Sequence, residues 1–440
     1  SSAASDVYKR QYRGHTMRKS RVIVVGGGFG GLKCIKSLKN TNFDIILIDK
    51  KNHHLFQPLL YQVATASLSP ADIAMPLREI FHNQCNTTIL MGDVQRVNLK
   101  KKQVILQNGD IIRYDYLVLA PGAHHSYFGH AKWGKSAPGL KTLTDALTLR
   151  ENILLSFEKA ERLCNKKKAL EYLNFVIIGA GPTGVELAGA IAEISRKTLY
   201  KSFKYIYPEQ SNIYLIEGSD TVLPSYPRKL SMRAIRDLKN LGVKVLTGNR
   251  VLDIKNNTVK TNLHSIRTRN IIWAAGNEAA ELLKTLHVPL DKQGRVLVNS
   301  DLSIPGFSHV FVIGDAAAYK HNDTYLPGVA PVAIQMGVHV AKILKYGKKS
   351  NRPDFIYRDK GTMSTIGRGK AIAYIGRIYL SGFFAWILWL AVHIVYLIGF
   401  RNRFSVIVQW VSLYLLGRRS ARLIHRSIDY ELPKKAKRSK

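Results

Sequence analysis

Two glycine clusters, Gly26-Gly27-Gly28-Phe29-Gly30-Gly31 and Gly179-Ala180-Gly181-Pro182-Thr183-Gly184, decide how this 440-residue chain folds. Each follows a short β-branched run, Arg21-Val22-Ile23-Val24-Val25 before the first and Phe175-Val176-Ile177-Ile178 before the second, and each leads into a helical pattern. A lone G-x-G-x-x-G is weak evidence, because glycine-rich turns arise by chance. Strand, turn and helix occurring twice is a stronger signal, and it predicts an α/β chain with two Rossmann-like dinucleotide-binding domains. In such a turn the first glycine (Gly26, Gly179) makes the tight bend and the second (Gly28, Gly181) lets a pyrophosphate approach the backbone. The third (Gly31, Gly184) lets the helix pack closely on the strand. Free N–H groups and the dipole at the helix N-terminus then favour the anion.

An acidic residue closing the next strand completes the pattern by accepting hydrogen bonds from a ribose diol. Asp49 ends Ile45-Ile46-Leu47-Ile48, and Glu217 ends Ile213-Tyr214-Leu215-Ile216. Glu217 stands farther from its glycines than the usual ~20 residues, so a longer helix and loop over about 191–211 must intervene. Two further strands end in small-residue turns that return to a ligand: Tyr116-Leu117-Val118-Leu119-Ala120-Pro121-Gly122 and Ile271-Ile272-Trp273-Ala274-Ala275-Gly276. Val310-Phe311-Val312-Ile313-Gly314-Asp315-Ala316 reads as another strand and helix start, where Asp315 is either a polyol ligand or a plain helix cap.

The chain carries 66 Lys and Arg against 30 Asp and Glu, a formal charge of +36. Such an excess signals nucleic acid or an anionic membrane surface, and its location decides between them. The densest basic stretch, 401–440, holds eleven Lys and Arg and follows greasy sequence: the 23 residues 378–400 and the run Phe404 to Gly417 contain no charged residue. No nucleic-acid recognition module is present, so nucleic acid is not an expected partner. The first run is long enough to span a bilayer with some tilt. Its tryptophans and tyrosines, His393 near the middle, and the following arginines instead favour helices over about 381–417 that lie in the interface of an anionic membrane. A buried helical hairpin or a homodimer interface is the other use of such a surface. Cys34, Cys85 and Cys164 are too few and scattered for a disulfide framework, and no metal site is expected. Residues 1–16 lack an apolar signal core and precede Met17, so they read as a leader or artefact, and the folded domains are expected to face the cytoplasm.

From Arg21 to about Ile424 the sequence resembles the type II (non-electrogenic) NADH dehydrogenases, monotopic NADH:quinone reductases of the two-dinucleotide-binding-domain flavoprotein superfamily. The two glycine segments and Gly314-Asp315 occur across the superfamily. The discriminating segments are Asn52-His53-His54-Leu55-Phe56-Gln57-Pro58-Leu59-Leu60-Tyr61-Gln62-Val63-Ala64-Thr65 and Pro331-Val332-Ala333-Ile334-Gln335-Met336-Gly337. Asp49 is a mild departure, since Glu is commoner there.

The resemblance implies an FAD-binding domain over 17–125 and 278–345, an NADH-binding domain over 126–277, and a C-terminal domain over 346–440. It implies that Gly26, Gly28, Gly31 and Asp49 hold the FAD adenosine and pyrophosphate, with Thr65, Asp315 and Lys370 toward the flavin half. Gly179, Gly181, Gly184, Glu217 and Gly276 would hold NADH. Glu186 would lie beside the nicotinamide and flavin rings, although a carboxylate near a helix start is also favourable by dipole alone. Gln335 would face a membrane quinone at the flavin edge. The implied enzyme takes hydride from NADH onto FAD and passes two electrons to quinone, bound monotopically on the cytoplasmic face of the cell membrane.

The residues themselves narrow the chemistry. No C-x4-C pair follows Gly31, and no cysteine follows Cys164, which argues against disulfide reductases and sulfide:quinone reductases. A carboxylate at Glu217 repels a 2′-phosphate, which predicts NADH over NADPH. The rival readings are a reductase of a ferredoxin-like protein, which leaves the greasy C-terminus unexplained, and a low-turnover NADH-sensing membrane flavoprotein.

Overall fold

The computed structural model describes residues 19–163, 165–346, 352–416, 419 and 421–424. The expectations for residues 1–16, Met17, Cys164 and the basic tail beyond 424 fall outside these residues. Contacts divide the chain into two compact units, one formed by Ser1–Asn52, Leu77–Gly122 and Ala279–Tyr357, the other by His53–Pro76, Ala123–Glu278 and Arg358–Lys440. Residues 53–76 thus group with the second unit, although the segments before and after them in sequence belong to the first.

The first unit is built on a six-stranded sheet in the order Ser303–Ile304, Phe307–Val312, Tyr116–Leu119, Ser20–Val25, Phe43–Asp49, Thr87–Met91. All neighbours are parallel except the first pair. Val22, Ile23, Val24, Ile45, Leu47 and Leu117 are fully buried, as expected of parallel strands covered on both faces. Helix Phe29–Ser37 leaves the central strand and packs closely on helix Ala330–Tyr346. A Cβ on Gly337 would strike the Gly30 carbonyl, and one on Gly30 would lie 3.1 Å from the Ala333 carbonyl. The strand read at 310–316 is Phe307–Val312, and it is followed by a single 3₁₀ turn, Gly314–Ala316, rather than an α-helix.

The second unit repeats the motif in a four-stranded parallel sheet: Val243–Leu246, Asn212–Ile216, Asn174–Ile178, Asn270–Trp273. Helix Pro182–Glu193 follows the central strand and runs into a π-helical turn, Ile194–Thr198, and then an exposed loop. These elements supply the extra length before Glu217. The same helix packs on strand Thr362–Gly367 of a three-stranded antiparallel sheet, so closely that a Cβ on Gly189 would strike the Ile366 carbonyl.

The uncharged stretch after Arg377 is not one element. It forms strand Ile378–Gly382, helix Phe383–Tyr396, a break at Leu397 to Gly399, and the first residue of helix Phe400–Leu416. Arg403 caps the first helix by donating to the Leu397 and Val395 carbonyls at 2.7 and 2.9 Å. Fourteen residues rise only about 21 Å against a ~30 Å hydrocarbon core, and no helix among the described residues is long and apolar enough to cross a membrane.

The aromatic residues sort differently from the sequence expectation. Trp386, Trp389, Trp410 and His393 are buried inside the unit, with His393 stacked on Trp389 and bonded to its carbonyl at 2.7 Å. Burial pushes the His393 imidazole down to about 4, so it is neutral. The outward residues are Phe383, Phe384, Tyr396, Phe400 and Phe404.

Candidate functional site

The two glycine turns fold alike because their sequences demand it. Gly26 and Gly179 both have φ +101°, a left-handed value that a Cβ resists. Their N–H groups donate to the Ile48 and Ile216 carbonyls, each at 2.8 Å. A Cβ on Gly31 would strike the Gly26 carbonyl, and one on Gly184 the Gly179 carbonyl, so the third glycine is fixed by helix–strand packing. Gly28 and Gly181 cap their helices without a side chain, and a Cβ at either would meet no protein atom within 4 Å. The space before each helix N-terminus is therefore open, with the helix dipole favouring an anion there.

The acidic residues complete each cradle. Asp49 Oδ2 accepts from the Gly27 N–H at 2.6 Å, and Oδ1 from Lys51 at 2.7 Å. Glu217 Oε2 accepts from the Ala180 N–H at 2.7 Å, while Oε1 accepts from the Ser219 N–H and hydroxyl, both at 2.9 Å. Each carboxylate is thus held at the rim of its own turn.

Within the first unit, helix Ala330–Tyr346, which carries Gln335, packs on the turn Gly314–Ala316, which carries Asp315. Met336 Sδ accepts from the Gly314 N–H at 3.3 Å, and the Asp315 carboxylate lies 3.0 Å from where a Gly328 Cβ would stand. Gln335 and Asp315 are both half-buried.

Within the second unit, Thr65 caps helix Leu60–Ala64 and is fully buried, its hydroxyl donating to the Tyr61 carbonyl at 2.9 Å. Gly276 closes strand Asn270–Trp273 at φ +70°, where a Cβ would meet the Phe128 ring at 2.6 Å. Lys370 opens strand Lys370–Ile375 and is half-buried.

Glu186 stands in the first turns of helix Pro182–Glu193 and lines a pocket with Tyr61, Gln62, Glu193, Tyr414 and Arg419. Its Oε1 accepts from the Thr365 N–H at 3.4 Å. Desolvation raises the Glu186 carboxyl to about 8, and the Thr365 and Ser364 donors only partly oppose it. At neutral pH the group is therefore mostly a neutral acid, kept so by desolvation. Tyr61, whose hydroxyl accepts from Gln62 at 2.9 Å, is pushed up by burial and then by the neighbouring Glu186 and Tyr414. Sequence reading missed Glu193, although its i, i+7 spacing from Glu186 puts both on one helix face. Arg419 and Tyr414 had no local signal, being far along the chain.

Two sheets with parallel cores, each with a glycine turn and a rim carboxylate, define a class: oxidoreductases that hold two dinucleotides. A profile described as pyridine nucleotide-disulphide oxidoreductase matches residues 20–337, and one described as the NDH2 C-terminal domain matches 360–419. The Mycobacterium tuberculosis type II NADH:quinone oxidoreductase Ndh is 41% identical over 418 residues, covering 91% of this chain and 89% of that protein. NdhA of the same organism is 40% identical over 91% of this chain and 88% of its own length. The structure of NDH2 from Plasmodium falciparum in complex with NADH shares the fold with TM-score 0.83 at 21% identity, over 91% of this chain and 99% of that one. The chain belongs to the type II NADH:quinone oxidoreductases.

Proposed function

We propose that the chain is a non-proton-pumping NADH:quinone oxidoreductase of a respiratory chain, using FAD to carry reducing equivalents from NADH to a membrane quinone. Its net reaction consumes NADH, one proton and a quinone and yields NAD⁺ and the quinol. The observation that carries this reading is the duplicated cradle, in which Gly28 and Gly181 each leave room for a pyrophosphate at a helix N-terminus.

Gly26, Gly28, Gly31 and Asp49 would hold the FAD adenosine and pyrophosphate, with Thr65, Asp315 and Lys370 toward the flavin. Gly179, Gly181, Gly184, Glu217 and Gly276 would hold NADH. When bound, FAD supplies two-electron redox chemistry between a hydride donor and a quinone. The protein's part is to orient these partners and to shape the surrounding field. Glu217, already bonded to Ala180 and Ser219, accepts from the ribose diol and repels a 2′-phosphate. Glu186, neutral through burial, places no full negative charge beside the hydride acceptor. Gln335 offers its amide to a quinone oxygen.

The outward Phe383, Phe384, Phe400 and Phe404, flanked by exposed Arg377 and Arg401, support docking into the interface of an anionic membrane. Purified in detergent, the protein should show a flavin spectrum that NADH bleaches and added quinone restores. Failure of either step rejects the reading. Gln335→Ala should impair quinone-driven recovery more than NADH-driven bleaching, and equal losses would remove its assigned role. Phe384→Ser with Phe400→Ser should reduce flotation with anionic liposomes, and unchanged flotation would move the docking surface elsewhere.

A further inference from the structure

One buried guanidinium has no part in the reading above. Arg419 follows helix Phe400–Leu416 and is 4% exposed. Its Nη1 donates to the Thr65 carbonyl and to Ser67 Oγ at 2.6 Å, and its Nη2 lies 3.5 Å from Glu193 Oε2. Between the two acceptors stands Ala66, buried at φ +57°. L-residues with a Cβ rarely enter this left-handed region, and such strain persists only where the surroundings over-determine it. Nη1 alone brackets the strained residue from both sides, while Nη2 faces Glu193, so the planar fork joins the turn to Glu193 in one fixed geometry.

Glu193 links this turn to the helix of Glu186. It accepts from the Arg368 N–H at 2.7 Å and ends the helix that carries Glu186. Other C-terminal side chains fix the flanks of the same segment. Trp410 Nε1 donates to Gln62 Oε1 at 2.7 Å, while Ser405 and Gln409 donate to the buried Asp72 at 2.7 and 2.6 Å. Arg419 holds the turn between those flanks.

We propose that Arg419 is a positioning residue that keeps the Thr65–Ser67 turn in its left-handed form and ties it, through Glu193, to the helix of Glu186. This rests on the assignment of Thr65 to the flavin and Glu186 to the hydride site. It makes a side chain of the C-terminal domain a structural part of the redox site, beyond any role in docking.

The test compares full-length, detergent-purified holoenzyme with Arg419→Lys, Arg419→Met and the double variant Arg419→Met/Ala66→Gly. It follows amide hydrogen exchange at residues 65–68, FAD retention on dialysis, and the rate of flavin bleaching by NADH. Both single variants should speed exchange at 65–68 by at least about tenfold and loosen FAD, because methionine removes every donor and a lysine ammonium has no second nitrogen to hold Glu193 while the first holds the turn. The double variant should regain part of the protection, since glycine takes a positive φ without steric cost. Wild-type exchange in either single variant overturns the proposal. So does full rescue by lysine, which would mark a purely electrostatic role, or no recovery in the double variant. If NADH fails to bleach the wild-type flavin, the functional reading falls instead, and the exchange comparison still decides the role of Arg419.

Discussion

The first and second glycine turns are nearly the same object in different surroundings. Their leading glycines share φ +101°, their second glycines have φ −71° and −70°, and their rim carboxylates reach the backbone at 2.6 and 2.7 Å. What differs is the cover on the helix that follows. The first helix lies against helix Ala330–Tyr346, and the position two residues past its last glycine is Lys33, which is exposed. The second lies against strand Thr362–Gly367, and the matching position is Glu186, half-buried and raised to about 8. Local sequence therefore sets the turn, while the element packed on the helix sets the chemistry of its side chains.

The strongest test of this comparison uses the two glycines whose Cβ would touch no protein atom. Gly28→Ala should lose FAD, and Gly181→Ala should raise the KM for NADH by at least about 100-fold, about 2.7 kcal/mol, with unchanged melting temperature. If Gly181→Ala strips the flavin and Gly28→Ala spares it, the two cradles have been assigned in the wrong order. A smaller effect is expected at the second rim. Glu217→Gln should narrow the NADH over NADPH preference by about tenfold, about 1.4 kcal/mol, and an unchanged ratio counts against the ribose role.

A separate test concerns pH. Glu186 is neutral in the native state up to about 8 but ionises near 4.5 once unfolded. Between those values the native state binds more protons than the unfolded one, so this group makes stability fall as pH rises. Thermal melts of Glu186→Gln from pH 5 to 8 should show a shallower decline than wild type. An identical decline would mean that Glu186 is not held neutral.

The strands, both turns and both rim acids were legible because each depends on residues within one βα unit, where periodicity and glycine spacing carry the signal. The 23 uncharged residues after Arg377 misled in part. Hydropathy cannot distinguish lipid from a neighbouring helix as the cover, so Trp386, Trp389 and His393 read as interface groups although they face the interior. Arg419 was illegible for a different reason. Its partners Thr65 and Ser67 lie about 350 positions away in the sequence, and a positive φ at an alanine leaves no trace in residue type. The grouping of 53–76 with the second unit is likewise a long-range fact that no local pattern encodes.

Gly189 bears on how such a chain can be recombined. Two separate profiles match 20–337 and 360–419, which invites treating the C-terminal portion as an exchangeable module. Yet any side chain at Gly189 would collide with the Ile366 carbonyl, across the very joint where a chimaera would be cut. A graft from a relative will seat properly only if its strand approaches the helix as closely as this one does, so compatibility between parents is a matter of tenths of an ångström at one backbone contact.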